Sequence, residues 1–118
     1  MSAKGIFYIE AFVSDFARSK SFYGGTLGWK LNTDLPTVAG FHFGTGYLVI
    51  VADTRAAASR VYAGGMHVEV QVADVVSEHS RLKKSGITVS DIEKKPWGES
   101  KFTFVDPDGY PWAYGQSN

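Results

Sequence analysis

The stretch Tyr8-Ile9-Glu10-Ala11-Phe12-Val13-Ser14-Asp15 returns later as His67-Val68-Glu69-Val70-Gln71-Val72-Ala73-Asp74. The Glu, the Val ahead of a small residue and the closing Asp are identical, and apolar residues alternate in both copies. A repeat of this kind means one supersecondary unit built twice. Ile9, Ala11 and Val13 share one face of a strand, as do Val68, Val70 and Val72. Asp15 and Asp74 then stand where a helix N-cap is wanted, accepting the first free backbone N–H groups. A helical segment follows each Asp, over 16–27 and 75–85, and each ends before a glycine, Gly28 or Gly86, suited to the left-handed residue after a helix. Phe16, Tyr23 and Leu27 have helical spacing and are expected to pack under the sheet. Gly24-Gly25 interrupts that helix and is expected to loosen or end it early, since Gly costs ~1 kcal/mol against Ala at such positions.

The remainder of each half reads as strands. Residues 29–32 and 87–90 are β-type, 38–44 and 47–52 flank a Gly44-Thr45-Gly46 turn, and 101–105 and 111–115 flank Asp106-Pro107-Asp108-Gly109. The latter has Pro second and Gly fourth, as a type I turn favours. The expected fold is α+β: two tandem βαβββ modules, about 5–52 and about 65–116, joined by an Ala-rich linker at about 53–64. Curved mixed sheets form a cleft between the modules, and the helices pack on their outer faces. That cleft is the expected place for a ligand.

Composition narrows the function. Of 118 residues, 44% are hydrophobic and 20% charged, and twelve basic residues balance twelve acidic ones. Nothing there marks a nucleic-acid or anionic-membrane partner. With no cysteine, disulfide scaffolds, thiolate metal sites and cysteine nucleophiles are excluded. No stretch approaches the ~20 apolar residues of a membrane helix, and Glu10 interrupts any signal-like run near the start. A cytoplasmic protein is expected.

Val13-Ser14-Asp15, Ser21-Phe22-Tyr23, Leu27-Gly28-Trp29, the run 67–74, Pro96-Trp97-Gly98 and the run 104–109, in this order and spacing, resemble the vicinal oxygen chelate superfamily. That superfamily groups glyoxalase I, extradiol dioxygenases, fosfomycin-modifying enzymes and bleomycin-resistance binding proteins. The resemblance implies metal ligands near the start of the first strand and on the last strand of each module in the metal-dependent members. Here those positions fall on Tyr8 and His67, on Ala113, and near Ile50. Only His67 is a good ligand, whereas a divalent ion wants at least three converging protein N or O donors. The expectation is therefore no metal, no cofactor and no catalytic residue.

By strand alternation Tyr8, Glu10 and Phe12 share one face, and so do His67, Glu69 and Gln71; the resemblance makes this the cavity face. Tyr8, Glu10, Phe43, His67, Glu69 and Trp97 are the candidate ligand-binding residues. Carboxylates beside aromatic rings suit a cationic or flat aromatic molecule. Trp97 sits in a loop outside any periodic apolar run, where function concentrates. The reading is a metal-free small-molecule-binding protein of the bleomycin-resistance type, sequestering an antibiotic or metabolite, and a homodimer. The alternative is a metal-dependent lyase or dioxygenase with a displaced ligand set around Glu10, His67 and Glu69.

Overall fold

The computed structural model describes residues 3–55 and 65–118. Most of the expected linker lies outside them. The chain divides into two compact units, Met1–Tyr62 and Ala63–Asn118. In the first, β1 (Ile9–Val13), α1 (Phe16–Ser21), β2 (Lys30–Asp34), β3 (Val38–Phe43) and β4 (Gly46–Ala52) follow in order. The second repeats them as β5 (Val68–Gln71), α2 (Val75–Lys84), β6 (Glu93–Lys95), β7 (Glu99–Val105) and β8 (Pro111–Ser117). The strand orders are β1-β4-β3-β2 and β5-β8-β7-β6, with the first strand parallel to the last in both. The sequence repeat is thus a repeat of topology. Among the described residues no helix is long and apolar enough to cross a membrane.

Both N-caps form as the two aspartates require. Asp15 Oδ1 accepts the Arg18 backbone N–H at 3.1 Å, and Asp74 Oδ1 accepts that of Ser77 at 3.1 Å. The first helix departs from simple periodicity. After Ser21 the chain widens into a π-helical turn over Phe22–Thr26, where Leu27 N–H donates to Phe22 C=O at 2.9 Å. The two glycines fall inside that turn, so the helix changes type where it was expected to loosen. Tyr23 and Leu27 are buried, while Phe16 is only half-buried. In the first unit Ala11, Val13, Ala39, Phe41, Leu48 and Ile50 form the core face of the sheet under the helix. In the second, Phe102, Phe104, Trp112 and Tyr114 do so with Val75 and Leu82 of α2. Rings of Phe104 and Tyr114 meet edge-on at 5.0 Å.

Residues 87–90 are not a strand, contrary to expectation. The ladder with β7 begins only at Glu93, paired with Lys101. Upstream, Ser90 holds the edge alone: its N–H donates to Thr103 C=O at 3.0 Å, and its Oγ accepts the Thr103 N–H at 2.8 Å. A side chain thereby takes a hydrogen bond that a strand would have made with backbone. His79 of α2 adds a hydrogen bond to Ser90 C=O at 2.8 Å.

The Asp106–Gly109 turn closes β7 onto β8. Gly109 N–H donates to Asp106 C=O at 2.9 Å, and Gly109 takes φ +87°. A type I turn followed by a left-handed glycine is a preferred three-residue hairpin loop. Asp106 is buried, and its Oδ1 accepts the N–H groups of Asp108 and Tyr110, both at 2.9 Å.

Candidate ligand site

The hairpin register places the side chains of the second sheet. Ala113 pairs with Glu69 and Thr103, and Gly115 with Gln71 and Lys101. Registered partners share a face, so His67, Glu69 and Gln71 stand with Glu99, Lys101, Thr103 and Ala113. Trp112 and Tyr114 point to the helix. On this open face Lys101 Nζ donates to Glu69 Oε1 at 2.8 Å and lies 3.6 Å from Glu99 Oε1. Trp97, reaching over from the Pro96-Trp97-Gly98 turn, donates its Nε1–H to Glu99 Oε1 at 2.8 Å. The indole is nonetheless 68% exposed.

Gly115 is the floor of this cluster. A Cβ there would stand 3.0 Å from Glu69 Oε2 and 3.2 Å from Glu99 Oε2. Both carboxylates occupy the room a side chain would need. With Gln71, Gln116 and Ser117 they line a pocket of about 250 Å³. Two carboxyl groups share one ammonium and approach one another over Gly115. Glu99 is held below its ordinary value, first by the hydrogen bond it shares with Glu69, then by the Trp97 N–H, and further by Lys101. Lys101 is raised, first by its hydrogen bond to Glu69 and then by the charges of Glu69 and Glu99. The Lys101 and Glu99 side chains are only 17% and 19% exposed, so these interactions are screened less than an open surface pair.

Farther along the sheet a second pocket, about 480 Å³, opens beside His67. Thr103, Phe104, Val105, Pro111 and Trp112 line it with residues 88–90. Its lining is mostly apolar, which suits the body of an organic molecule.

The candidate residues therefore separate. His67, Glu69 and Trp97 belong to the second unit, where Glu99 links Trp97 to Glu69. Tyr8 and Glu10 belong to the first, both exposed, with Glu10 paired to Val49 on its strand face. Phe43 stands on the other face from Glu10. It shares its face with Phe41, covers Gly46 and stacks on Trp29 at 4.4 Å. Its ring is packing for the helix side of the sheet. Glu99 and Lys101 escaped the sequence reading, although counting outward from the Asp106–Gly109 turn would have put both on the Ala113 face.

The donor set does not fit a divalent metal at the positions used by metal-dependent relatives. Glu69 lies opposite Ala113 and Glu10 opposite Val49, so the first-unit equivalent of Ala113 is Val49; Ile50 is buried on the core side. Both last-strand positions are apolar, and the Glu69 carboxylate is already bound to Lys101. Among the described residues no three His, Cys, Asp or Glu come together in a metal-holding group.

Two mixed four-stranded sheets of identical order, each carrying one helix, define a tandem βαβββ protein. The sequence profile of the Glyoxalase/Bleomycin resistance protein/Dioxygenase superfamily matches residues 5–114, and the chain belongs to that superfamily. Among solved structures it is similar to TnmS3, an antibiotic binding protein from Streptomyces sp. CB03234. Identity is 25%, with 100% of this chain and 99% of that one covered and a TM-score of 0.82. A glyoxalase/bleomycin resistance protein from the same organism is 27% identical over 92% and 97% of the two chains, with a TM-score of 0.73. Lactoylglutathione lyase from Agrobacterium tumefaciens shares the fold at 22% identity, 97% and 94% coverage and a TM-score of 0.77. No curated protein sequence matches.

Proposed function

We propose that this chain binds a planar, positively charged organic molecule, an antibiotic or a metabolite of that chemistry, without the help of a metal. The observation that carries this reading is the exposed Trp97 ring, fixed by its N–H on Glu99 beside a second carboxylate. Lys95 Nζ already stands over one face of this ring, 6.0 Å from its centroid, so a ligand cation would displace it or use the other face. An immobilised ring offers its face at little entropic cost, and cation–π contact contributes about 0.5–2 kcal/mol depending on desolvation. The Glu69 and Glu99 carboxyl oxygens beside the ring supply acceptors for the N–H groups of such a cation. The likeness to TnmS3, described as an antibiotic binding protein, supports sequestration over turnover.

Calorimetric titration with bleomycin-type glycopeptides and planar cationic antibiotics tests the reading. Trp97→Ala and Glu99→Gln are each expected to weaken binding about tenfold, the size of one lost charge-assisted or cation–π contact. Silence across the panel, or equal affinity in both variants, would overturn it.

A further inference from the structure

Tyr47, on β4, has its phenol oxygen fixed by two consecutive residues of β2. Asn32 Nδ2–H donates to it at 3.2 Å, and Thr33 Oγ1 lies 2.8 Å away. Successive side chains of a regular strand point to opposite faces, so both could not reach one atom. The register of β2 on β3 slips between Leu31 and Thr33, and a bulge of this kind re-aims side chains. Gly40, on the strand between, completes the arrangement. A Cβ there would stand 2.0 Å from the phenol oxygen and 2.5 Å from Cζ, so any other residue would push the phenol away.

A bulge, a glycine and two polar side chains thus converge on one oxygen. That oxygen does nothing for the core, since Tyr47 alternates with the buried Leu48 and faces the other way. Thr33 first and Asn32 second hold the phenol below its ordinary value, the direction that makes its O–H a better donor. His42 packs against the ring with centroids 4.6 Å apart. Lys30 pairs with His42, and His42 with Tyr47, so the three form one row across three strands. Among the described residues Lys30 makes no ion pair. Glu10 lies in a neighbouring row beside Val49.

We infer that Tyr47, Lys30 and His42 form a binding point for the carboxylate of a small organic acid. The Tyr47 hydroxyl donates to one carboxylate oxygen, Lys30 balances the charge, and the His42 ring borders a flat ligand. All three residues lie in the first unit, so the inference does not rest on the cation site of the second.

Benzoate is a suitable probe, with neutral benzamide as its control, titrated into the full-length ¹⁵N-labelled chain. Benzoate is expected to shift the amides of Gly40, His42 and Tyr47 saturably, and benzamide to leave them in place. Tyr47→Phe keeps the ring and removes the donor, and is expected to weaken benzoate about tenfold. Gly40→Ala displaces the phenol and is expected to do the same, while Lys30→Gln removes the salt dependence of binding. A structural role for Tyr47 as a pin of the bulge would leave benzoate affinity unchanged in Tyr47→Phe, and that result overturns the inference. So does an absence of shifts with millimolar benzoate in the unmodified protein.

Discussion

Gly115 has no side chain, and two carboxylates use the space it leaves. That single absence lets Glu69 and Glu99 converge over the middle of β8, and Lys101 and Trp97 then fix them. Glu99 is accordingly expected to titrate below 4.5, its ordinary value, when followed by carboxyl ¹³C NMR. Trp97→Phe should move it upward, because the indole N–H that favours the carboxylate is gone. The linkage has a definite sign. A depressed carboxyl stabilises the fold above its unfolded pKa, and that contribution is lost as pH falls through the folded pKa. An unchanged Glu99 titration in Trp97→Phe would contradict the hydrogen bond. At this scale the sequence was half legible. Alternation alone put Glu69 and His67 on one face, because strand period fixes facing without any knowledge of partners. Phe43 needs the same parity count: it shares its face with the buried Phe41, not with Glu10. Gly115 is invisible as a functional position, since only the register shows which side chains lean over it.

Among the elements, the π-helical turn over Phe22–Thr26 is the clearest departure from the expected periodicity. Helical spacing at 3.6 residues per turn does not foresee it, because Leu27 N–H bonds five residues back to Phe22 C=O. Gly24-Gly25 was the visible sign, and the two glycines are not equivalent. A Cβ at Gly24 would meet Phe41 Cε1 at 3.2 Å, whereas nothing lies within 4 Å at Gly25. Neither has positive φ. Gly25→Ala is therefore expected to stabilise by about 0.5–1 kcal/mol, through the unfolded chain and helix propensity. Gly24→Ala should destabilise, since Phe41 is fully buried and overpacking a core typically costs about 1–3 kcal/mol. Urea unfolding of the two variants separates them, and equal midpoints would contradict this packing. The β7–β8 hairpin was the best-read element because its turn chemistry sets its register. Residues 87–90 misled because Thr and Val favour strands, while Ser90 uses its side chain where a ladder would use backbone.

For the whole molecule, the repeated Glu-bearing strand and capping Asp were enough to read the βαβββ order of each unit. Both sheets follow it, and the superfamily profile spans nearly the full chain. Function was less legible, because members of one superfold differ at a few side chains on an open face. Here the informative ones are the apolar residues opposite Glu10 and Glu69, Val49 and Ala113, and the charged trio that only the register brings together. The central claim, a cationic aromatic ligand held by Trp97, Glu99 and Glu69 without metal, is tested most directly on one purified sample. Its metal content is measured, and a planar cationic antibiotic is titrated by calorimetry before and after chelation. The expected result is saturable binding of unchanged affinity in both titrations, with metal well below stoichiometric. Stoichiometric metal, with binding abolished by chelation and restored by adding the ion back, would contradict it.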